Sequence, residues 1–301
     1  MKMIKKLSNI KNPRVSVLMP AYNAEKYIGE SIDSILGQTF DDFELIIVND
    51  GSTDNTAEIV RKYARQDTRI KFIDNKKNAG VAKTRNQLLD AACGEYIAFQ
   101  DSDDISRPYR LATQVKFLDS HPDISVLGAA METFPEYETV SYIENPKLLD
   151  FYIANAVSNA VVMFRKSDID KYGFRYNEKY QTCEDYDFWV RVVRVLKIHN
   201  LRDVLINYRV LPQSLSHNNP KLDYFNKIIR DGIINNLTDN KIMQLLISQK
   251  YNTKLFGFIP LLRIKRRRIY LFGFLPFLIR REMWWWLFGI IPFIKIQGYE
   301  Q

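Results

Sequence analysis

The sequence predicts an α/β fold built on a mostly parallel sheet. Three observations predict it. Short apolar runs alternate with amphipathic stretches over the first hundred residues, each run ends in a polar cluster, and 46% of the 301 residues are hydrophobic. That is ordinary for a globular chain and enough for one large domain or two small ones. In order, Val15 to Met19 is a β-prone run closed by Pro20, and Ala24 to Leu36 has helical spacing with Ile28, Ile32, Ile35 and Leu36 on one face. Phe43 to Val48 is a second strand, and Ser52-Thr53-Asp54 offers N-caps to a helix over Thr56 to Ala64. Ile70 to Ile73 is a third strand, and Val81 to Ala92 a helix with Gly94 as its C-cap. Tyr96 to Phe99 is a fourth strand running into Gln100-Asp101-Ser102-Asp103-Asp104. In such sheets ligands bind beyond the carboxyl ends of the strands. Ala21-Tyr22-Asn23, Asn49-Asp50-Gly51-Ser52 and Asp101 to Asp104 all fall there.

The second half is less regular. Arg107 to Ser120 reads as a helix, Ile124 to Gly128 and Val161 to Phe164 as strands. Asp185 to Leu196 reads as a helix with Phe188, Val192, Val195 and Leu196 inward, and Leu222 to Gln249 as one or two amphipathic helices. Beyond them Leu255-Phe256-Gly257-Phe258-Ile259-Pro260 recurs as Leu271 to Pro276 and again as Leu287 to Pro292, sixteen residues apart both times. Three copies in register mark an internal repeat.

Charge and cysteine usage exclude several classes. The net charge is +8, but residues 251–301 hold nine Lys/Arg against two Glu, so the first 250 residues are nearly neutral. A nucleic-acid partner is therefore not expected. Cys93 and Cys183 are far apart without CxxC spacing, which argues against a disulfide framework or a cysteine zinc site and fits a reducing cytoplasm. The basic first residues are followed by an apolar run too short for a signal peptide.

The chemistry lies at the strand ends. Asp101, Asp103 and Asp104 crowd three carboxylates into four residues, and charges so close call for a cation. Mg²⁺ or Mn²⁺ fits, because such ions take one or two carboxylates and fill the rest of the sphere with water and substrate phosphate. A bare Asp-x-Asp is as well read as a solvated turn or a cap for the next helix; its place beside two other polar strand ends favours the ion. Asp50 would accept hydrogen bonds from a ribose or base, against a plain turn for Gly51 and Asp54. Tyr22 would stack on a base, or simply pack. Arg85, after Asn78-Ala79-Gly80, would reach a pyrophosphate, or be solvated.

Val15 to Asn23 (VSVLMPAYN), Glu44 to Thr56 (ELIIVNDGSTDNT), Asn78 to Asn86 (NAGVAKTRN) and Gly94 to Asp104 (GEYIAFQDSDD) resemble the successive motifs of glycosyltransferase family 2. Glu184-Asp185-Tyr186-Asp187-Phe188-Trp189-Val190-Arg191 is similar to that family's acidic acceptor-side motif, and the resemblance spans residues 13–215. It implies the GT-A fold and inversion at the anomeric carbon of a nucleotide-diphospho-sugar, with UDP-hexose the family's default donor. The implied domains are 1–220 for catalysis, with 13–104 the donor half and 105–220 the acceptor half, then a helical segment 221–250 and the tail 251–301. Pro20, Tyr22, Asn23, Asp50 and Arg85 would bind the nucleotide sugar, Asp101 would serve both nucleotide and metal, and Asp103 would be the main metal ligand. Asp185 would be the general base, with Glu184 binding acceptor or tuning it; without the upstream motifs a dipole-favoured helix start reads as well. Relatives often carry Tyr-Arg-x-His downstream. Here Leu211 stands where that His would be, and His217 is the candidate substitute.

The tail alternates aromatic-apolar blocks with Arg263 to Arg268, Arg280-Arg281 and Lys295, and its longest apolar block, Trp284 to Ile294, is about half of a membrane span. Attachment to an anionic membrane surface on the cytoplasmic face is expected, near glycan or lipid-linked acceptors of surface polysaccharide; the competing reading is a structural appendage. Two functions compete with the transferase. A nucleotidyltransferase would need a Gly-rich basic loop after the first strand, and Ala21 to Glu25 does not supply one. A catalytically weak scaffold docking through the tail would not need Asp101, Asp103 and Asp185.

Overall fold

A computed structural model describes residues 12–180, 182–211 and 222–235, together with six short strands between Thr253 and Pro292. The chain divides into two units, Met1–Ile233 and Ile234–Gln301.

In the first unit β1 (Val15–Ala21), β2 (Phe43–Asp50), β3 (Ile70–Asn75) and β4 (Tyr96–Phe99) lie side by side in the order β3-β2-β1-β4, parallel throughout. The crossovers are α1 (Ile28–Leu36), α2 (Thr56–Gln66) and α3 (Val81–Ala91). Parallel strands covered on both faces read as continuous apolar runs, and Val15, Val17, Leu45 and Ile47 have no exposed surface. Ile28, Ile32 and Ile35 of α1 pack against the same cluster, as their spacing predicts. All four strands point their carboxyl ends the same way, which gathers the three polar clusters at one edge.

The sheet then changes character. β5 (Ile105–Ser106), β6 (Val126–Phe134), β7 (Thr139–Val140), β8 (Met163–Arg165) and β9 (Ile198–Arg209) extend it in the order β4-β8-β6-β9-β5, with β7 on β6. Every joint here is antiparallel except β6 with β9. The mostly parallel expectation thus describes the first half alone, and the whole is a mixed sheet. β9 escapes a reading by periodicity because Arg202 and Asp203 interrupt its apolar alternation. Around it lie α4 (Arg110–Ser120), α5 (Leu148–Ile153), α6 (Lys166–Lys171), α7 (Glu184–Val192) and α8 (Leu222–Asn235).

Three local expectations change. Gly94 does not cap α3, whose C-cap is Ala92; Gly94 instead lies against β1, where its N–H donates to Ser16 Oγ at 2.8 Å and a Cβ would come within 2.5 Å of the Ser16 nitrogen. The helix of Asp185 ends at Val192, so Val195 is exposed rather than inward. Of Leu222 to Gln249, residues 222–235 are one helix and the rest lie outside the described residues.

In the second unit the sixteen-residue repeat coincides with antiparallel strand pairing. β10 (Thr253–Leu255) pairs with β11 (Ile259–Lys265), which pairs with β12 (Arg268–Leu271), which pairs with β13 (Leu275–Phe277). β14 (Trp286–Leu287) pairs with β15 (Ile291–Pro292). The same repeat positions are partners each time: Leu255 with Ile259, Leu271 with Leu275, Leu287 with Ile291.

Candidate active site

The edge at the carboxyl ends of β1 and β2 is built from loops that hold one another. Asn23, at φ 49° just after β1, donates its N–H to Ser52 Oγ at 2.9 Å and accepts the Thr53 N–H on Oδ1 at 2.9 Å. Its neighbour Tyr22 is about half exposed. Asp50 ends β2 nearly buried, and its two oxygens accept the N–H groups of Ala79 (2.8 Å) and Gly80 (2.9 Å). Gly51 follows at φ 68°, where a Cβ would lie 2.5 Å from the Lys77 carbonyl carbon. That close approach and left-handed backbone are why glycine stands there. Asp50 thereby fixes the loop that starts α3.

The Asp101–Asp104 loop is clamped from below and from the side. Below it Arg110 is wholly buried and donates to Phe99 O (2.6 Å), Gln100 Oε1 (2.9 Å) and Ser106 Oγ (2.9 Å). From the side Arg209, at the end of β9, gives its backbone N–H to Asp104 Oδ1 (2.8 Å) and its Nε to Asp103 O (2.8 Å). Its guanidinium stacks between Tyr27 and Phe134, 4.4 Å from each ring centroid, and also holds Glu30. Burial and the neighbouring Asp101 push the Asp103 carboxyl up to about 6. Burial, with Asp101 and Asp103, likewise pushes Asp104 well up, and its Oδ2 has no hydrogen-bond partner. An acidic pair in this state is short of positive charge. Asp101 and Asp103 are partly exposed and fit a hard divalent ion as a two-carboxylate site completed by substrate oxygens. Among the described residues no group of three His, Cys, Asp or Glu gathers as a full ligand set. His217 lies outside the described residues.

Across from this loop sits the second acidic pair. Cys183 is held at φ 62°, a left-handed conformation uncommon for a non-glycine residue, and starts α7 so that Glu184 and Asp185 enter its first turn. Glu184 is buried and bonded to Arg85, whose other terminal nitrogen is 3.7 Å from Asp101 Oδ1. Arg85 is therefore buried and already ion-paired to both acidic pairs. Asp185 differs from Glu184 in being partly rather than fully buried. Its Oδ1 accepts the Tyr186 N–H at 2.8 Å and its Oδ2 the Asn155 amide at 3.1 Å. Burial raises both carboxyls, and Arg85 opposes that rise.

Local spacing did not single out Arg110, Arg209 or Asn155. A signal existed only for Arg110, an arginine on the inward face of α4 with Leu111, Gln114, Val115 and Leu118.

Comparison with known proteins gives a consistent result. The glycosyl transferase family 2 profile matches residues 16–180. An uncharacterized glycosyltransferase of Haemophilus influenzae is 34% identical over 239 residues, 73% of each chain. The putative glycosyltransferase EpsE of Bacillus subtilis is 36% identical over 65% of this chain and 73% of its own. Crystal structures of S. aureus TarS residues 1–349 are similar in fold: with UDP, TM-score 0.64 at 26% identity over 81% of this chain and 72% of that one; with UDP-GlcNAc, TM-score 0.65 at 26% over 81% and 73%.

Proposed function

This chain belongs to glycosyltransferase family 2 and has the GT-A fold, and from that premise we propose that it is an inverting hexosyltransferase using a UDP-sugar and a divalent cation. The observation that carries this reading is Arg85, which ties Asp101 on the donor side to Glu184 beside Asp185 on the acceptor side. Tyr22 and Asp50 stand at the neighbouring strand ends, where a nucleoside would lie. Pro20, Asn23 and the loop fixed by Asp50 complete that wall.

In the reaction an acceptor hydroxyl oxygen bonds to the anomeric carbon as the bond from that carbon to the diphosphate breaks. The hydroxyl proton passes to Asp185, a step worth about 10²–10⁴-fold. Mg²⁺ or Mn²⁺ held by Asp101 and Asp103 would neutralise the charge developing on the leaving diphosphate. Arg85 opposes the rise that burial imposes on Glu184 and holds it fixed, which leaves Asp185, the less buried of the two, as the candidate base. A single displacement inverts the configuration.

UDP-GlcNAc is the first donor to test, because the similar TarS fragment was crystallised with it. The acceptor class is a glycan or lipid-linked glycan of surface polysaccharide. The likeness to the putative teichuronic acid biosynthesis glycosyltransferase TuaG of Bacillus subtilis, 30% identical over 210 residues, and the basic tail support that choice. No helix among the described residues is long and apolar enough to cross a membrane. The tail would hold the enzyme on the anionic inner face of the cell membrane, and flotation on anionic vesicles with and without residues 251–301 tests that. The central test is a nucleotide-sugar screen with Mn²⁺, run on the wild type and Asp103→Ala. Metal-dependent turnover disappears in the variant; unchanged turnover defeats the site.

A further inference from the structure

Asn155 has no part in the reaction as set out above, yet it is the side chain that holds the proposed base. It follows α5 in sequence, thirty residues before Asp185, and its Nδ2 donates to Asp185 Oδ2 at 3.1 Å. The amide orientation is set by its partner, since the opposite flip would place two acceptor oxygens face to face. With the other carboxylate oxygen taken by the Tyr186 N–H, Asn155 fixes the rotation of the Asp185 carboxylate about its last bond.

The other end of the amide is not engaged elsewhere: Asn155 Oδ1 has no hydrogen-bond partner among the described residues. The hydrogen bond that its side chain makes there is the one to Asp185.

We propose that Asn155 is the positioning residue for Asp185, orienting its carboxylate toward the acceptor hydroxyl and favouring its charged form through the amide hydrogen bond. This rests on Asp185 being the general base. The other groups around Asp185 do not supply that contact. Arg85 from α3 is committed to Glu184 and Asp101. Asp101 and Glu184 are themselves acidic and disfavour the charged form. Burial pushes the Tyr142 phenol up to about 12, raises Tyr176 further, and raises the Cys183 thiol to about 11, so all three are neutral near pH 7.

The sign of the effect follows. A hydrogen bond to the ionised carboxylate favours it. Losing that bond lets burial and the neighbouring acids raise the Asp185 carboxyl further, and the acidic limb of the pH–rate profile moves to higher pH. Asn155→Leu keeps the volume and removes the amide. The test follows Asp ¹³Cγ NMR titration of the full chain, with Asp185→Asn to assign the resonance, and kcat and KM for UDP-GlcNAc with Mn²⁺. In Asn155→Leu the Asp185 resonance titrates at higher pH than in the wild type, and kcat drops about tenfold near neutral pH with donor KM unchanged. A lower melting temperature with an unmoved Asp185 titration makes Asn155 structural and overturns the proposal. The NMR arm needs no substrate and decides the matter even if UDP-GlcNAc is not turned over. Retained transfer by Asp185→Asn, beside a shifted titration in Asn155→Leu, would remove the base reading and leave the positioning contact standing.

Discussion

The site holds two acidic pairs of similar composition and opposite circumstance. Asp101 and Asp103 sit in a loop where burial and mutual repulsion push Asp103 up to about 6. Glu184 and Asp185 sit at a helix start, more deeply enclosed, but with Arg85 bonded to Glu184 and opposing the rise of both. Among the described residues no cation is hydrogen-bonded to the carboxylates of the first pair: Arg110 lies beneath the loop and bonds Phe99, Gln100 and Ser106, Arg209 bonds its backbone, and Arg85 stays 3.7 Å from Asp101; the second pair has Arg85 bonded to Glu184 within the fold. A pair left short of charge is suited to binding an ion that comes and goes with phosphate. A pair neutralised internally can keep one carboxylate ionised in a dry site, which a base needs.

The sharpest way to break that contrast is at Asp185. Asp185→Asn keeps the shape and removes the proposed base. Sugar transfer should fall about 10²–10⁴-fold while UDP affinity, measured by calorimetry, stays within about twofold. If both fall together, the helix start belongs to donor binding and the division of labour between the pairs is wrong.

Removing the shared cation tests the other side. Arg85→Met strands Glu184 without its ion-pair partner, and breaking a buried pair costs about 3–5 kcal/mol. Urea unfolding should show that loss for Arg85→Met, and a smaller one for Arg85→Met combined with Glu184→Gln, because the second change removes the stranded charge. Arg85→Lys should recover little, since one ammonium cannot reach Glu184 and Asp101 as the planar guanidinium does. Equal losses for the single and double variants would mean that Arg85 acts through packing against Phe99 and Tyr176, whose centroids lie 5.9 and 5.5 Å from it.

The two pairs were not equally legible in the sequence. The loop of Asp101 was readable because Tyr96–Phe99 is a clean apolar run that stops at Gln100, and the same logic located Tyr22 and Asp50. Local order suffices where a strand is buried on both faces and its end is marked by polarity. The surroundings of Asp185 depend on contacts between distant segments: Arg85 to Glu184 spans 99 residues, Asn155 to Asp185 spans 30, and Arg209 to Asp104 spans 105. No spacing rule carries such information. Arg85 therefore read as a helix-surface arginine aimed at a pyrophosphate, while the fold buries it between acids. Arg209 precedes the missing histidine of the Tyr-Arg-x-His pattern, and nothing local discloses that it clamps the Asp101–Asp104 loop. In the second half β9 escapes the sequence for a related reason, its polar middle being stabilised by parallel pairing with β6 rather than by its own pattern.

A milder test concerns the donor wall. Tyr22→Ala should weaken UDP binding roughly tenfold, in line with about 1–3 kcal/mol for base stacking, and leave the melting temperature within error because the ring is half exposed. Unchanged UDP affinity would mean that the base lies elsewhere along the strand ends.

The smallest effect expected lies at the other end of the parallel strands and serves as a control on the electrostatic reasoning. Glu44 is nearly buried beside β1 and accepts from Ser16 Oγ (2.5 Å), Cys93 N (3.2 Å) and Lys71 Nζ (2.5 Å). Burial alone would raise its carboxyl; the hydrogen bonds, that from Lys71 foremost, outweigh it and hold the carboxyl below its ordinary 4.5. A depressed carboxyl stabilises the fold fully above its unfolded value, and that contribution is lost as pH falls through the folded one. Glu44→Gln keeps the contacts with Ser16 and Cys93 but loses the ion pair, of which the Lys71 end is exposed and screened. The variant should be less stable than the wild type by about 1 kcal/mol at pH 7. The difference should shrink as pH falls below 4.5 toward the folded value, and high salt should reduce it at pH 7. Because this carboxylate has its cation and its hydrogen bonds yet no exposed edge, Glu44→Gln should leave kcat unchanged. The contrast with Asp185 then rests on access to substrate rather than on charge pairing alone.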